Sequence, residues 1–459
     1  MSILDNLQRI KNQLFNRKHP FAEESIRFKK TYVTGYTMLL CVDGYPSEMA
    51  KDELHKTLQL FDIPVDFAKL AIQQAMAAEE AFVHNILQIL RAPVHKLVFM
   101  LDLYASAQRD NKITDKEQAF LVLFEELLQL TYAEIHFVRN FRMAMLRDDH
   151  DVAGKVVQAA LEQEVEVPLN ELSYFLPGFV YEERLTTMSL FTGQKRKLTY
   201  ATQLQGEITV GQGAELDLNG MTVTFGNNAS IIVDGGVVKA DGATLQASMD
   251  ANQTMLSIRN VAQLTLTDVT FNGANNVRAL QMDNAQVTLE GCTFEKCFAE
   301  ERGGAIYFAN SEQFALRDCT FEQCSTLGKG GVLYIAGTEA THMRSRTFFG
   351  FRTGGKVKRV NLLIDNCTFT TSRAEMSGAL HMYEATAQVR NSNFTACTSR
   401  TGGAAIDAYA CSVNGENNTF IQCQAGLNEA VIVVKGDTIE APAAFGTFEE
   451  CEPQNLLQK

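Results

Sequence analysis

No run of 18 or more consecutive apolar residues occurs in this 459-residue chain, so no helix is expected to span a bilayer. Nor is there a Cys-x-x-Cys pair, which leaves structural zinc without its usual ligand spacing. A basic excess is also missing: 41 Lys and Arg stand against 54 Asp and Glu, a formal net charge of −13. A protein that bound nucleic acid or an anionic membrane over its whole surface would show the opposite sign. Catalytic signatures are equally scarce, with no Gly-x-Ser-x-Gly elbow, phosphate loop or dinucleotide fingerprint. The opening residues Met1-Ser-Ile-Leu-Asp-Asn-Leu7 lack a basic start leading into an apolar core. They read as an amphipathic helix rather than a secretion signal, and the expected location is the cytoplasm.

What the chain does have is repetition. Cys292-Thr-Phe-Glu-Lys-Cys297 returns as Cys319-Thr-Phe-Glu-Gln-Cys324, Cys367-Thr-Phe-Thr-Thr-Ser372 and Ser392-Asn-Phe-Thr-Ala-Cys397. Asn418-Thr-Phe-Ile-Gln-Cys423 and Gly446-Thr-Phe-Glu-Glu-Cys451 follow. The phenylalanines, from Phe271 to Phe448, recur about every 25 residues, with one interval about twice as long. A period of this size marks a solenoid, whose units cannot bury their apolar faces alone. In phase with it run Gly303-Gly-Ala-Ile306, Gly330-Gly-Val-Leu333, Ser377-Gly-Ala-Leu380 and Gly402-Gly-Ala-Ala405. Paired glycines permit a tight bend before a short strand. Turn and strand thus alternate around a coil short enough to be three-sided, with inward Phe, Cys and Ile stacked on their counterparts. The cysteines number ten, and all but Cys41 lie in this half. Their five-residue spacing, repeated coil by coil, predicts rows of reduced thiols acting as small hydrophobes.

Gly-Gly-Ala-Ile alternating with Cys-Thr-Phe resembles the repeats of polymorphic outer-membrane proteins and of pectate-lyase-like β-helices. The resemblance covers about 260–450 and implies a right-handed parallel β-helix. It does not fix an activity, because that fold hosts lyases, hydrolases, adhesins and scaffolds.

The first half has a helical period near 3.6. Helices are expected near 3–16, 21–42, 47–60, 65–90, 94–107, 115–128, 132–147 and 151–164. Thr114-Asp-Lys-Glu117 and Thr131-Tyr-Ala-Glu134 are capping-box sequences. The fold class expected is therefore α + β with two domains. An all-α bundle covers 1–165, a docked linker 166–200, and a β-helix 201–459 with an inserted basic loop at 340–363. Asp110-Asn-Lys-Ile-Thr-Asp-Lys-Glu117 resembles the Asp-Gly-x-Ile-Ser-x-x-Glu turn of TerB-like helical domains, which belong to tellurite-resistance and related bacterial stress systems. Val42-Asp-Gly-Tyr-Pro-Ser47 is a second, divergent copy, with Ala50 where a carboxylate belongs. The resemblance implies a divalent cation on Asp43, Asp110 and Glu117. The plain alternative is that Asp110 forms a turn and Glu117 completes a helix cap.

Two stretches could bind a ligand. Between Ala340 and Leu363 stand His342, Arg344, Arg346, Arg352, Lys356, Lys358 and Arg359, without Asp or Glu and interleaved with Phe348, Phe349 and Phe351. Such a patch suits an acidic polymer or an acidic protein surface, or it is a solvated excursion. Tyr307, Tyr334 and His381 follow successive bends and form either an outward aromatic strip or part of the core, with Ile406 in the equivalent place one coil on. Dispersed carboxylates and missing Asp-Asp, Gly-His-Gly and Arg-Ile-Lys segments argue against the pectinase chemistries. The function expected is non-enzymatic recognition or scaffolding in a stress-response setting, with self-association open. Two alternatives remain: an enzyme or binder acting on acidic polysaccharide, and an effector exported without a cleaved signal.

Overall fold

The computed structural model describes residues 18–108, 113–337, 359–426, 430–435, 445–452 and 457–458. The chain divides into two compact units, Met1–Tyr181 and Glu182–Lys459.

The first unit is all-α. Helices span Ile26–Leu40, Glu48–Leu60, Phe67–Ala77, Glu80–Ile89, Pro93–Ala107, Asp115–Leu127, Tyr132–Arg147 and His150–Leu161, with a single turn at Leu172–Phe175. Both predicted capping boxes form. The Thr114 and Thr131 side chains accept from the amides of Glu117 and Glu134, whose carboxylates accept in return from the cap amides. The helix expected over 65–90 is two helices. Ala78 takes a left-handed conformation, φ 45°, and closes the first of them through its amide to the Gln74 carbonyl. Glu80 then sits in the first turn of the next helix, where the backbone amides favour a carboxylate. The helix expected at 3–16 lies outside the described residues. The helix Pro93–Ala107 is the central one, with Leu97 to Leu101, Leu103 and Tyr104 all buried.

The second unit is a solenoid of parallel strands, from Glu183–Leu190 onward. The stretch 166–200, read from the sequence as a linker, contains the strands Glu183–Leu190 and Lys195–Lys197, which pair with Thr202–Val210 and Glu215–Asp217. Side chains alternate in and out along each strand, and the inward ones form one continuous core. Phe271, Phe294, Phe321, Phe369, Phe394 and Phe420 are fully buried in file. Successive ring centroids lie 4.7, 4.7, 5.0, 4.6 and 4.9 Å apart, with rings within 12° of parallel. Phe448 adds one more at 4.8 Å.

Each coil turns its corners on left-handed residues that recur in register. One file is Asp268, Gly291, Asp318, Asn366, Asn391 and Asn417; another is Lys296, Gln323, Thr371, Ala396, Gln422 and Glu450. Asn, Asp and Gly adopt this conformation most readily. A Cys or Ser follows most of these corners, and this is where most of the solenoid's cysteines stand. Every cysteine is a free thiol, and several donate to the carbonyl of the coil beneath, as Cys324 does to Phe294. Asparagines tie the corners together outside: Asn391 donates to Asp365 and Asn310 to Asp283.

Candidate functional site

The row that carries Tyr307, Tyr334 and His381 is set by strand register. Strand pairing places Tyr307 against Tyr334, Tyr334 against His381, and His381 against Asp407. Ile406 instead pairs with Leu380 in the inward file. The position assigned to Ile406 by counting from the glycines is therefore off by one. The bend from Gly402 holds one more residue than those from Gly303, Gly330 and Ser377 before the strand begins.

The row faces away from the core, yet it is not an open strip. Its rings stack, Tyr307 on Tyr334 at 5.5 Å and Tyr334 on His381 at 5.3 Å, both within 10° of parallel. Arg278 lies over Tyr307, Arg302 over Tyr334, and Lys435 over Tyr409 beside the row. Such cations gain from the ring quadrupole and shield the ring from water. Exposure falls along the row: Tyr307 is half-buried, while Tyr334, His381 and Asp407 retain 6%, 2% and 0%.

The bends lie over this row. Gly402 has φ +74°, and a Cβ added there would stand 2.6 Å from the Asp407 carboxylate, so only glycine fits. Beneath it His381 Nδ1 lies 3.6 Å from Asp407 Oδ2. Neither Asp407 oxygen nor that nitrogen has a hydrogen-bond partner. Burial pushes the His381 pKa down, and the neighbouring Asp407 opposes the shift. A buried polar side chain left without a hydrogen bond costs about 1–3 kcal/mol. Asp407, a carboxylate that stacking of the coils could bring to His381, takes the row position that counting from the glycines gives to Ile406. The signal was present in Leu380-His-Met-Tyr383 set against Ile406-Asp-Ala-Tyr409.

The remaining candidates are dispersed. Arg359 is exposed and leads directly into the strand Val360–Asp365. His342, Arg344, Arg346, Arg352, Lys356 and Lys358 lie outside the described residues, as does Asp110. Asp43 is bound to Lys116 at 3.3 Å. Glu117 accepts from the Thr114 amide at 2.8 Å, completing the cap. Among the described residues no group of three or more His, Cys, Asp or Glu could hold a metal ion, and no helix is long and apolar enough to cross a membrane.

No curated protein and no solved structure matches the chain. Residues 207–358, however, match the family described as a right handed beta helix region. The second unit is thus a right-handed parallel β-helix by both its strand pairing and its sequence.

Proposed function

We propose that this protein is a non-enzymatic recognition or scaffold protein, in which the β-helix holds out the basic segment 340–363 to an acidic polymer. The observation that carries this reading is the phenylalanine file across the insertion point. Phe321 and Phe369 stack at 5.0 Å and 3°, as closely as residues joined by ordinary coils. The strands Leu333–Ala336 and Val360–Asp365, on either side of residues 338–358, both keep their pairings with neighbouring coils. A binding segment anchored at both ends to a stiff ladder loses less freedom on binding than a free one. Its cations, unmatched by any Asp or Glu between Ala340 and Leu363, match the charge of a polyuronate chain. On the sequence resemblance of Asp110 to Glu117, the helical unit supplies a docking or sensing element of a bacterial stress-response system.

The test is retention on immobilised polygalacturonate. Wild-type protein is expected to bind and to elute as salt is raised, since exposed charges are screened. The variant Arg344→Gln, Arg346→Gln, Lys356→Gln, Lys358→Gln should flow through. Equal retention of that variant would remove the segment from the account. Shortening of the polymer by wild-type protein would replace the scaffold reading with a polysaccharide-cleaving enzyme.

A further inference from the structure

The corner after the phenylalanine file carries a file of thiols. Ile421 pairs with Glu449 and Gln424 with Glu452, so Cys423 stands directly opposite Cys451 on the next coil. Two backbone bonds fix that register: the Gln422 amide donates to the Glu449 carbonyl at 2.9 Å, and the Glu452 amide to the Cys423 carbonyl at 3.0 Å. One coil earlier the same corner holds Cys397, whose carbonyl accepts from the Gln424 amide at 2.9 Å. The Cys423 thiol is within hydrogen-bonding reach of both Cys397 and Cys451.

Coil spacing sets the distance between these cysteines. The neighbouring rings Phe420 and Phe448 stack at 4.8 Å, and paired strands stand about 4.7–4.9 Å apart. A disulfide needs Cα atoms about 4.4–6.8 Å apart, so cysteines in register on adjacent coils meet that need with little backbone movement. Their side chains also point the same way. Cys451 Sγ donates to the Phe420 carbonyl at 3.5 Å and Cys423 Sγ to the Phe394 carbonyl at 3.4 Å. Cys451 therefore reaches back onto the coil that carries Cys423.

Access separates this pair from the other stacked thiols. Cys292, Cys297, Cys319, Cys324, Cys367 and Cys397 retain at most 1% exposure. Cys423 is equally buried, while Cys451 is half-buried. An oxidant arriving from solvent meets Cys451 first.

We propose that Cys451 and Cys423 are a peroxide-sensitive pair, which oxidation converts to a disulfide stapling their two coils together. In the first step the Cys451 thiolate attacks a peroxide oxygen. An S–O bond forms, the O–O bond breaks, and the departing hydroxide takes the proton that Cys451 released. Cys451 is then a sulfenic acid. In the second step the Cys423 sulfur attacks the Cys451 sulfur; an S–S bond forms, the S–O bond breaks, and hydroxide leaves with the Cys423 proton as water. Two thiols and one hydrogen peroxide thus give one disulfide and two waters. A sulfenic acid adds a single oxygen and leaves the Cys451 sulfur in register, whereas a bulky aryl disulfide draws that sulfur out of the coil and away from Cys423. Burial raises the Cys451 pKa, so the first step is slow at neutral pH and quickens as the pH rises. Each coil of a solenoid is held mainly by its two neighbours, and the staple resists the separation of this pair.

Hydrogen peroxide added to the full chain is the test, read by peptide mass mapping without reduction. Wild-type protein should lose two hydrogens and yield Cys423 linked to Cys451, a link that dithiothreitol reverses. Cys451→Ser should keep its other solenoid thiols under the same exposure. In Cys423→Ser the reaction should stop at the Cys451 sulfenic acid, trapped as its dimedone adduct. Should Cys423→Ser fail to fold, as judged by circular dichroism, the wild-type map and Cys451→Ser carry the decision. Oxidation of wild-type protein should also slow hydrogen exchange at least tenfold in Asn418–Ile421 and Gly446–Glu449. Absence of the Cys423–Cys451 link at millimolar peroxide overturns the inference, whether Cys451 stays a thiol, goes on to sulfinic acid or joins a second chain. Thiol loss that persists in Cys451→Ser overturns it too, as does exchange unchanged by the link.

Discussion

Replacing Phe369 by alanine is the most direct perturbation of the ladder that spans the insertion. Phe369 is fully buried and sandwiched between Phe321 and Phe394, at 5.0 and 4.6 Å. A buried Phe-to-Ala change costs about 3–5 kcal/mol through lost transfer energy and the cavity left behind. Each parallel ring contact adds about 0.5–1.5 kcal/mol beyond area burial, and here two are lost. The upper end of the range, about 5 kcal/mol, is therefore expected. Phe448 provides the internal control, because it is only partly buried and its described stacking partner is Phe420. Phe448→Ala should cost about half as much. In a solenoid each coil is stabilised mainly by its two neighbours, so the Phe369 variant should also uncouple the coils on either side. Urea unfolding followed by far-ultraviolet circular dichroism would then show two transitions in place of one. Equal losses for the two variants, or a Phe369→Ala loss below about 1 kcal/mol, would refute the idea that the file is continuous through the insertion.

Four further outcomes follow from the same geometry. Asp407→Asn sets an amide group opposite His381 Nδ1, where neither the Asp407 oxygens nor that nitrogen has a hydrogen bond, and stability should rise by about 1 kcal/mol; a fall in the denaturant midpoint would contradict the reading. Because burial lowers the folded-state pKa of His381 below 6.5, the unfolded chain binds its proton more readily. Stability contributed by this residue is present above pH 6.5 and declines as the pH falls from there to the depressed value, a decline that His381→Gln should remove from the pH dependence of the urea midpoint. Gly402→Ala should destabilise by more than about 1 kcal/mol, since it forces a side chain into positive φ and against Asp407, and an unchanged melting temperature would count against the bend's role as a lid. Of the ten cysteines, Cys451 alone is half-buried while the rest are buried, so Ellman's reagent should titrate one thiol rapidly in native protein and the others only after denaturation.

The parts of this fold that were legible in the sequence are those where structure repeats a residue type. Phenylalanine stacks on phenylalanine and thiol follows corner after corner, so period and core could be counted directly. The capping boxes were legible because they need only two residues at fixed spacing. The break at Ala78 was hidden, since no glycine or proline marks it and alanine otherwise favours helix. The strand Glu183–Leu190 was missed as part of the solenoid because it carries neither the Cys-Thr-Phe nor the Gly-Gly motif. Counting from the glycines puts Ile406 rather than Asp407 in the row because one extra residue in a single bend shifts the register, and a shift of one exchanges inward for outward positions. The contact of His19 with Asp102 in the helical unit was invisible, since packing alone brings the two together. The basic segment, by contrast, was legible only as composition.

Native-state hydrogen exchange tests the central claim most directly. The strands Thr320–Glu322 and Thr368–Thr370 are paired across the insertion, as Thr293–Glu295 and Thr320–Glu322 are across an ordinary coil. If the β-helix is one stiff support for segment 340–363, amides in all three strands should exchange with the same high protection. Protection lower by about a hundredfold at Thr368–Thr370, or about 2.7 kcal/mol at 1.36 kcal/mol per factor of ten, would contradict the account.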